Sequence, residues 1–141
     1  MCLVVSKDTK EEVLKEDLIV YKVMRVNTEF FISIFQSYPY KAGKLYNSEL
    51  NRELFNPHSI NDHSYADNDA WNYYEGIPNR YCYVEGFHSY ITLERAKHTT
   101  EYKHRGYGSS IVECTIPKGS VIVKDETGLA VSNQIIINGA L

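Results

Sequence analysis

Ile111-Val112-Glu113-Cys114-Thr115-Ile116 is the stretch on which the fold class turns, because it is the clearest strand signal in the chain. Pro117-Lys118-Gly119 reads as a turn, and Ser120 to Lys124 continues extended. Thr127-Gly128 makes another turn, and Ala130 to Asn138 ends in β-type residues. Ile135-Ile136-Ile137 reads as a run buried on both faces or lying at the sheet centre. Working back from Ile111, Leu93 to His104 reads as a helix, with Thr92 as N-cap, Glu94 favoured by the helix dipole and Gly106 as the C-terminal stop. Its inward residues Leu93, Ala96 and Thr100 are small enough to lie close on a sheet. Tyr81-Cys82-Tyr83-Val84 is extended and leads into Glu85-Gly86-Phe87-His88-Ser89-Tyr90. Nearer the start, Leu18 to Met24 and Phe30 to Phe35 have strand composition, and Cys2 to Val5 reads as an edge strand. Asp8 to Asp17 is charged and reads as a helical turn or a solvated loop, while Lys41-Ala42-Gly43-Lys44 reads as a turn.

Asn47 to Arg80 differs in kind. It is rich in Asn, Asp, Ser, His and Tyr and has neither a strand nor a sustained helical period. Long patternless stretches in small domains are usually functional or disordered, and Trp71, Tyr73 and Tyr74 offer packing surface that argues against disorder. The expectation is α+β: a twisted, mostly antiparallel sheet with one main helix and a long polar insertion at about 47–80, in a single domain of residues 1–141.

The length of 141 residues suits one core. An apolar share of 43% against 23% charged, with 4 Pro and 8 Gly, is globular composition. Eighteen acidic residues outnumber fifteen basic ones, giving a net charge of −3, which argues against binding nucleic acid through bulk phosphate attraction. No apolar run reaches spanning length, so no membrane association is expected. Three widely spaced cysteines suggest neither a disulfide framework nor a zinc knuckle, and the reading is a cytoplasmic protein. Aromatic content is the oddity: 12 tyrosines against five phenylalanines and one tryptophan.

Few chemical motifs are complete. His58 and His63 lie near Asp62 and His98 and His104 lie on the helix, but none has the tight four-ligand spacing of structural zinc, so no metal is expected. His88-Ser89 are neighbours whose side chains point to opposite faces of a strand, there is no Gly-x-Ser-x-Gly elbow, and no phosphate-binding glycine loop accompanies Gly106-Tyr107-Gly108. No cofactor is therefore expected. Gly86-Phe87-His88-Ser89-Tyr90 carries more. Alternation puts His88 and Tyr90 on one face just before a helix N-terminus, a cradle for a polar, anionic or ring-bearing ligand. The competing reading is a core histidine bonded to backbone, with Tyr90 packed beside it. In the binding reading, His88 opens onto a hollow whose mouth the aromatic insertion crosses, bringing Trp71 and Tyr74 to the site.

Several phrases resemble small uncharacterised proteins of bacteriophages of gut bacteria: the Met1-Cys2-Leu3 opening, Val20-Tyr21-Lys22-Val23, Gly43-Lys44-Leu45-Tyr46, Gly86 to Tyr90, Val112 to Ser120, and Ser132-Asn133-Gln134-Ile135-Ile136. The order of elements also resembles the ADP-ribosyltransferase-like fold, a split sheet that clamps NAD. That resemblance puts Tyr21 and Lys22 on the first site strand, His88 and Tyr90 on the second, and Gln134 where a glutamate is expected. A neutral carboxamide bonds a ribose but supplies no charge to an oxocarbenium-like transition state, so the likeness implies binding more than transfer.

Two roles follow. The first is a phage-type accessory protein, non-catalytic, that binds and sequesters a nucleotide-like ligand or a host factor in a counter-defence role. Aromatic rings stack on bases, and Lys22, Arg95 and Lys118 supply local charge for phosphates. The second is an ADP-ribosyltransferase-like or other NAD- or nucleotide-processing enzyme, with His88 orienting a ribose, Tyr90 stacking and Glu113 or Glu94 as the carboxylate. A protein–protein interaction module, including a homodimer closed by the aromatic arm, is the third.

Overall fold

The computed structural model describes residues 3–6, 8–27, 30–33, 38–54, 80–103 and 109–141, with the backbone alone at 99–103. In chain order the strands are β1 (Val4–Ser6), β2 (Glu12–Val13), β3 (Leu18–Val26), β4 (Phe31–Ser33), β5 (Pro39–Tyr40), β6 (Leu45–Asn47), β7 (Asn51–Leu54), β8 (Arg80–Glu85) and β9 (Phe87–Tyr90). Helix α1 (Leu93–Lys103) follows, then β10 (Ser109–Ile116), β11 (Val121–Lys124), β12 (Leu129–Ser132) and β13 (Gln134–Ala140).

The two longest strands make the spine. β10 lies antiparallel to β3 over its whole length, from Ser109 against Arg25 to Ile116 against Leu18. Both are rich in β-branched residues, which suit a pleated surface. The larger sheet runs β2-β11-β12-β9-β3-β10-β13-β6, with β4 and β5 extending from the far end of β3. β12 and β13 are two halves of one chain segment with Asn133 between them. One half pairs with β9 and the other with β10. The sheet therefore curls round on itself through this bent segment. The bend is pinned: Asn133 N–H donates to the Val121 carbonyl at 3.1 Å, and Asn133 Oδ1 accepts from Val121 N–H at 2.8 Å.

Alternation sorts the side chains. Val20 and Met24 of β3, Val112, Cys114 and Ile116 of β10, Phe87 of β9 and Ile135 and Ile137 of β13 fill the inside of the curl. The opposite faces of β9 and β12 carry Tyr90, Leu129 and Val131, which pack with Leu3, Val5, Tyr83 and the helix residue Ala96. A three-stranded sheet, β1-β8-β7, thus covers one outer side of the curl together with α1. The Thr92 cap is formed, with Arg95 N–H donating to its Oγ1 at 3.2 Å.

The expectation of an α+β fold with a main helix is overturned: the described residues are mostly β, with one short helix and large antiparallel sheets. The sequence reading missed β2, β5, β6 and β7, four short strands at sheet edges. Glu12-Val13 pairs with β11, Leu45-Tyr46-Asn47 with β13, and Asn51-Arg52-Glu53-Leu54 with β8. An edge strand takes its backbone bonds from its neighbour and leaves side chains in water, so it has no need of an alternating pattern. Asp8 to Asp17 accordingly contains a strand, and the region from Asn47 to Arg80 opens on the last residue of β6 and contains β7. The isoleucine run also departs from expectation. β13 lies near the end of the sheet, Ile135 and Ile137 are buried inside the curl, and Ile136 faces the other way and is only half-buried.

Candidate functional site

Among the described residues, those singled out from sequence do not all converge on one place. Tyr21 and Tyr90 are cross-strand partners on the outer face of the curl. Arg95 joins them, its guanidinium carbon 5.8 Å from the Tyr90 ring centre, while its Nε donates to the Thr127 carbonyl at 3.1 Å. These three are brought together, but Tyr90 is 5% exposed and presents no ring face to a ligand. Gln134 is elsewhere, tied to Ser120 Oγ at 3.0 Å and to Asn47 Oδ1 at 2.8 Å. Trp71 and Tyr74, and the remainder of the insertion from 55 to 79, lie outside the described residues.

His88 and Lys22 are each half-buried, with the His88 ring nitrogen Nε2 shut off from solvent. The sheet ladder between β3 and β9 has one register pair, Tyr21 with Tyr90. One step further along β9, the His88 carbonyl accepts instead from Lys22 Nζ. Burial holds the Lys22 ammonium below the usual lysine range, with the neighbouring Cys114 opposing that shift. Cys114, fully buried, has its thiol pushed up to about 12 by the same burial. The His88 imidazole falls to about 3, first because it is buried and then because Lys22 repels its protonated form, while the Gly86 and Tyr83 backbone favours it. His88 Nε2 is a buried atom with no hydrogen-bond partner among the described residues, as is Ser89 Oγ. A ring so reluctant to take a proton is a poor general base near neutrality, and a thiol so reluctant to lose one is a poor nucleophile. The core-histidine reading describes His88 better than the ligand-cradle reading. Glu113, the other catalytic suggestion, sits on the outer face and accepts from Asn138 Nδ2 at 3.1 Å.

A different site emerges where the chain turns between β5 and β6. Gly43 N–H donates to the Ile137 carbonyl at 2.8 Å, and Ala42 makes an isolated bridge with the same residue, so the turn is held against β13. This anchoring folds Tyr38 and Tyr40 back against Tyr46. The Tyr40 ring centre is 4.8 Å from Tyr38 at 58° and 4.8 Å from Tyr46 at 77°. Tyr38 and Tyr46 are 6.3 Å apart at 86°, and Phe87 stands 6.2 Å beyond Tyr40. These are edge-to-face contacts of the kind that stabilise aromatic clusters, so the rings form one rigid wall.

That wall lines a hollow of about 260 Å³. Asn47 and Ser48 line it beyond β6, and Glu85 and Gly86 line it at the junction of β8 and β9. The three tyrosines are not equivalent. Tyr40 is 4% exposed, and its hydroxyl is held above the ordinary tyrosine value by burial first and by Tyr38, Cys114 and Tyr46 after it. Tyr46 OH accepts from Lys41 N–H at 2.7 Å, and Lys44 Nζ stands 5.2 Å from its ring centre. Tyr38 is 48% exposed and is the ring with surface to offer. Gly86 is required here for packing: its φ is 126°, and a Cβ would fall 2.5 Å from Val131 Cγ2 and 2.7 Å from Leu50 Cδ2.

A second hollow, of about 300 Å³, lies between β1 and the β11–β12 turn. Arg80 and Lys124 line it together with Asp125 and Glu126, so its charge is mixed. Asp125 Oδ1 is already committed to its turn, accepting from Thr127 N–H at 2.8 Å and Leu129 N–H at 3.0 Å. Neither hollow includes His88, Tyr90 or Lys22. Sequence reading passed over the tyrosine wall because it treated Pro39 and Gly43 as punctuation only. The available signal was three tyrosines within nine residues around that turn.

Comparison of the chain with protein-family models, with curated proteins and with solved structures gave no match. Among the described residues no helix is long and apolar enough to cross a membrane, and no three His, Cys, Asp or Glu side chains group as a metal site needs.

Proposed function

We propose that this chain is a non-catalytic binding protein that captures a small nucleotide-like ligand by its ring, in the tyrosine-walled hollow. One observation carries the reading: a half-exposed tyrosine, braced by two others, forms the wall of a hollow whose lining adds the apolar Val84 and Phe87 and the polar groups of Asn47, Ser48 and Glu85. An aromatic face with polar groups at its margin is what a nucleobase requires, since every base has a π-face and a polar edge. A volume of about 260 Å³ is at the low end for ligand pockets and suits one base, with sugar and phosphate left outside. Lys44 beside Tyr46 offers a cation to that phosphate. A whole dinucleotide does not fit, which weighs against the NAD-clamping alternative. So does the chemistry of His88 and Cys114, one held neutral and the other held protonated.

The resemblance to phage accessory proteins makes sequestration of a nucleotide signal in a bacterial cytoplasm the concrete form of this role. The test is equilibrium dialysis of the purified chain against a mixed panel of nucleoside monophosphates and cyclic nucleotides. Bound ligand is released by denaturation and identified by mass. Capture returns the ligand intact, and Tyr38→Ala weakens it by about 5- to 150-fold, the loss of about 1–3 kcal/mol of stacking. Tyr38 is half-exposed, so this variant keeps its fold. A chemically altered ligand would point to the enzyme reading, and an unchanged affinity in Tyr38→Ala would remove the hollow from consideration.

A further inference from the structure

We infer that the tyrosine hollow selects guanine over the other nucleobases, through Glu85 and the amide nitrogen of Asn47; this rests on the binding role proposed above.

A chain of hydrogen bonds fixes which way one amide faces. Ser120 Oγ donates to Gln134 Oε1 at 3.0 Å. The Gln134 amide therefore has its nitrogen turned the other way, and Gln134 Nε2 donates to Asn47 Oδ1 at 2.8 Å. The Asn47 amide is thus oriented with Oδ1 toward Gln134, one of its two lone pairs taken, and with its Nδ2 donors on the other side. Asn47 lies at the end of β6, is exposed, and lines the hollow. The next lining residue contributes little: Ser48 Oγ donates to the Glu49 carbonyl at 3.0 Å.

Among the described residues, Glu85 is the one formally charged residue lining this hollow. It is exposed and ends β8, immediately before the turn at Gly86. An ionised carboxylate only accepts, with two oxygens side by side. The hollow therefore offers a ligand ring three things: the Tyr38 face, a double acceptor and an amide donor.

The nucleobases differ in what their pairing edges present. Guanine presents one carbonyl oxygen and then two adjacent N–H donors, at N1 and the exocyclic amine. A carboxylate takes both donors as a bidentate pair, and an amide N–H meets the carbonyl. Adenine places a bare ring nitrogen where the carboxylate needs a donor, which sets two acceptors against each other. Uracil offers one donor between two acceptors, and cytosine offers one amine beside two acceptors. Neither presents the adjacent donors that a carboxylate pairs with. Charge-assisted, bidentate hydrogen bonds are the strong ones, and a polar group left unpaired on binding is costly, so the mismatch discriminates.

The experiment is titration calorimetry of the full chain with guanosine, inosine and adenosine 5′-monophosphates and with nicotinamide mononucleotide, on the wild type and on Glu85→Gln. Guanosine monophosphate is expected to bind at least about tenfold more tightly than adenosine monophosphate. Inosine monophosphate, which keeps N1–H and lacks the amine, falls between them. Glu85→Gln is expected to bring guanosine and adenosine monophosphates to within about threefold of each other, by weakening the former. Because Glu85 is exposed, the variant's fold is checked simply by its circular dichroism and melting temperature. Equal affinity for guanosine and adenosine monophosphates, with both lost in Tyr38→Ala, would overturn the guanine inference and leave the hollow as a general base-binding site. Tighter binding of nicotinamide mononucleotide would overturn it in favour of a cationic ring held by the carboxylate. If none of the four binds, the guanine inference and the nucleotide-binding role both fall.

Discussion

A buried histidine that resists protonation makes stability depend on pH in a definite direction, and His88 is that residue. Its folded-state value of about 3 lies well below the 6.5 of an unhindered imidazole. Between those two values the unfolded chain binds a proton that the native chain refuses. The His88 contribution is therefore complete above pH 6.5 and declines as pH falls through the window down to about 3. Within it, the slope is about 1.4 kcal/mol per pH unit, and between pH 7 and pH 5 the integrated loss is about 2 kcal/mol. For a chain of this size that is a large share of the whole, since native stability is about 5–15 kcal/mol. The assay is urea unfolding of wild type and His88→Gln at pH 7, 6 and 5, where most carboxylates remain ionised in both states. The wild type should lose about 2 kcal/mol more than the variant across that range. If the variant does not fold, the imidazole's own titration, followed by NMR in the wild type, answers the same question. Parallel pH profiles for the two proteins, or a ring that titrates near 6.5, would refute the claim that His88 is sealed and neutral.

Two further outcomes follow from the packing. Gly86→Ala places a methyl against Val131 and Leu50 at a backbone angle that L-residues rarely adopt, and should cost about 2–4 kcal/mol in chemical denaturation. Lys22→Met removes an ammonium whose protonation burial opposes. The Lys22 contribution to stability should rise with pH between the lowered native value and 10.5, because there the unfolded chain holds a proton that the folded one has lost; Cys114 and Tyr40 act in the opposite sense in both proteins, so the rise is read as the wild type minus the variant. Lys22→Met should lack that alkaline rise. An identical rise in both proteins, measured by urea midpoints from pH 8 to 10.5, would show the lysine to be solvated.

The tyrosine wall and the buried histidine exchange the roles that sequence reading assigns them. Phe87-His88-Ser89-Tyr90 draws attention because it collects a histidine and a tyrosine before a helix. In the fold, two sheets and a helix meet there, so Phe87, Ser89 and Tyr90 become core and the His88 ring nitrogen Nε2 is buried. Tyr38, Pro39 and Tyr40 draw none, because they belong to a short strand beside a turn. Their surface value comes from Ile137, nearly a hundred residues along the chain, which anchors that turn. No local pattern encodes such a contact.

What the sequence determined by itself is local. The alternation and β-branching of Leu18–Val26 and Ser109–Ile116 specify strands with one face to bury, and Thr92 and Glu94 specify where a helix begins. Its composition specified an unusual supply of tyrosine. The tertiary structure decided which of those tyrosines meet water, and it made strands of polar segments by giving them neighbours to bond. It also decided the fold class, because the bend at Asn133 lets one segment serve two places in the same sheet. The reason is physical. Side-chain periodicity is written residue by residue, whereas strand pairing and the burial of an imidazole depend on groups brought together from distant parts of the chain.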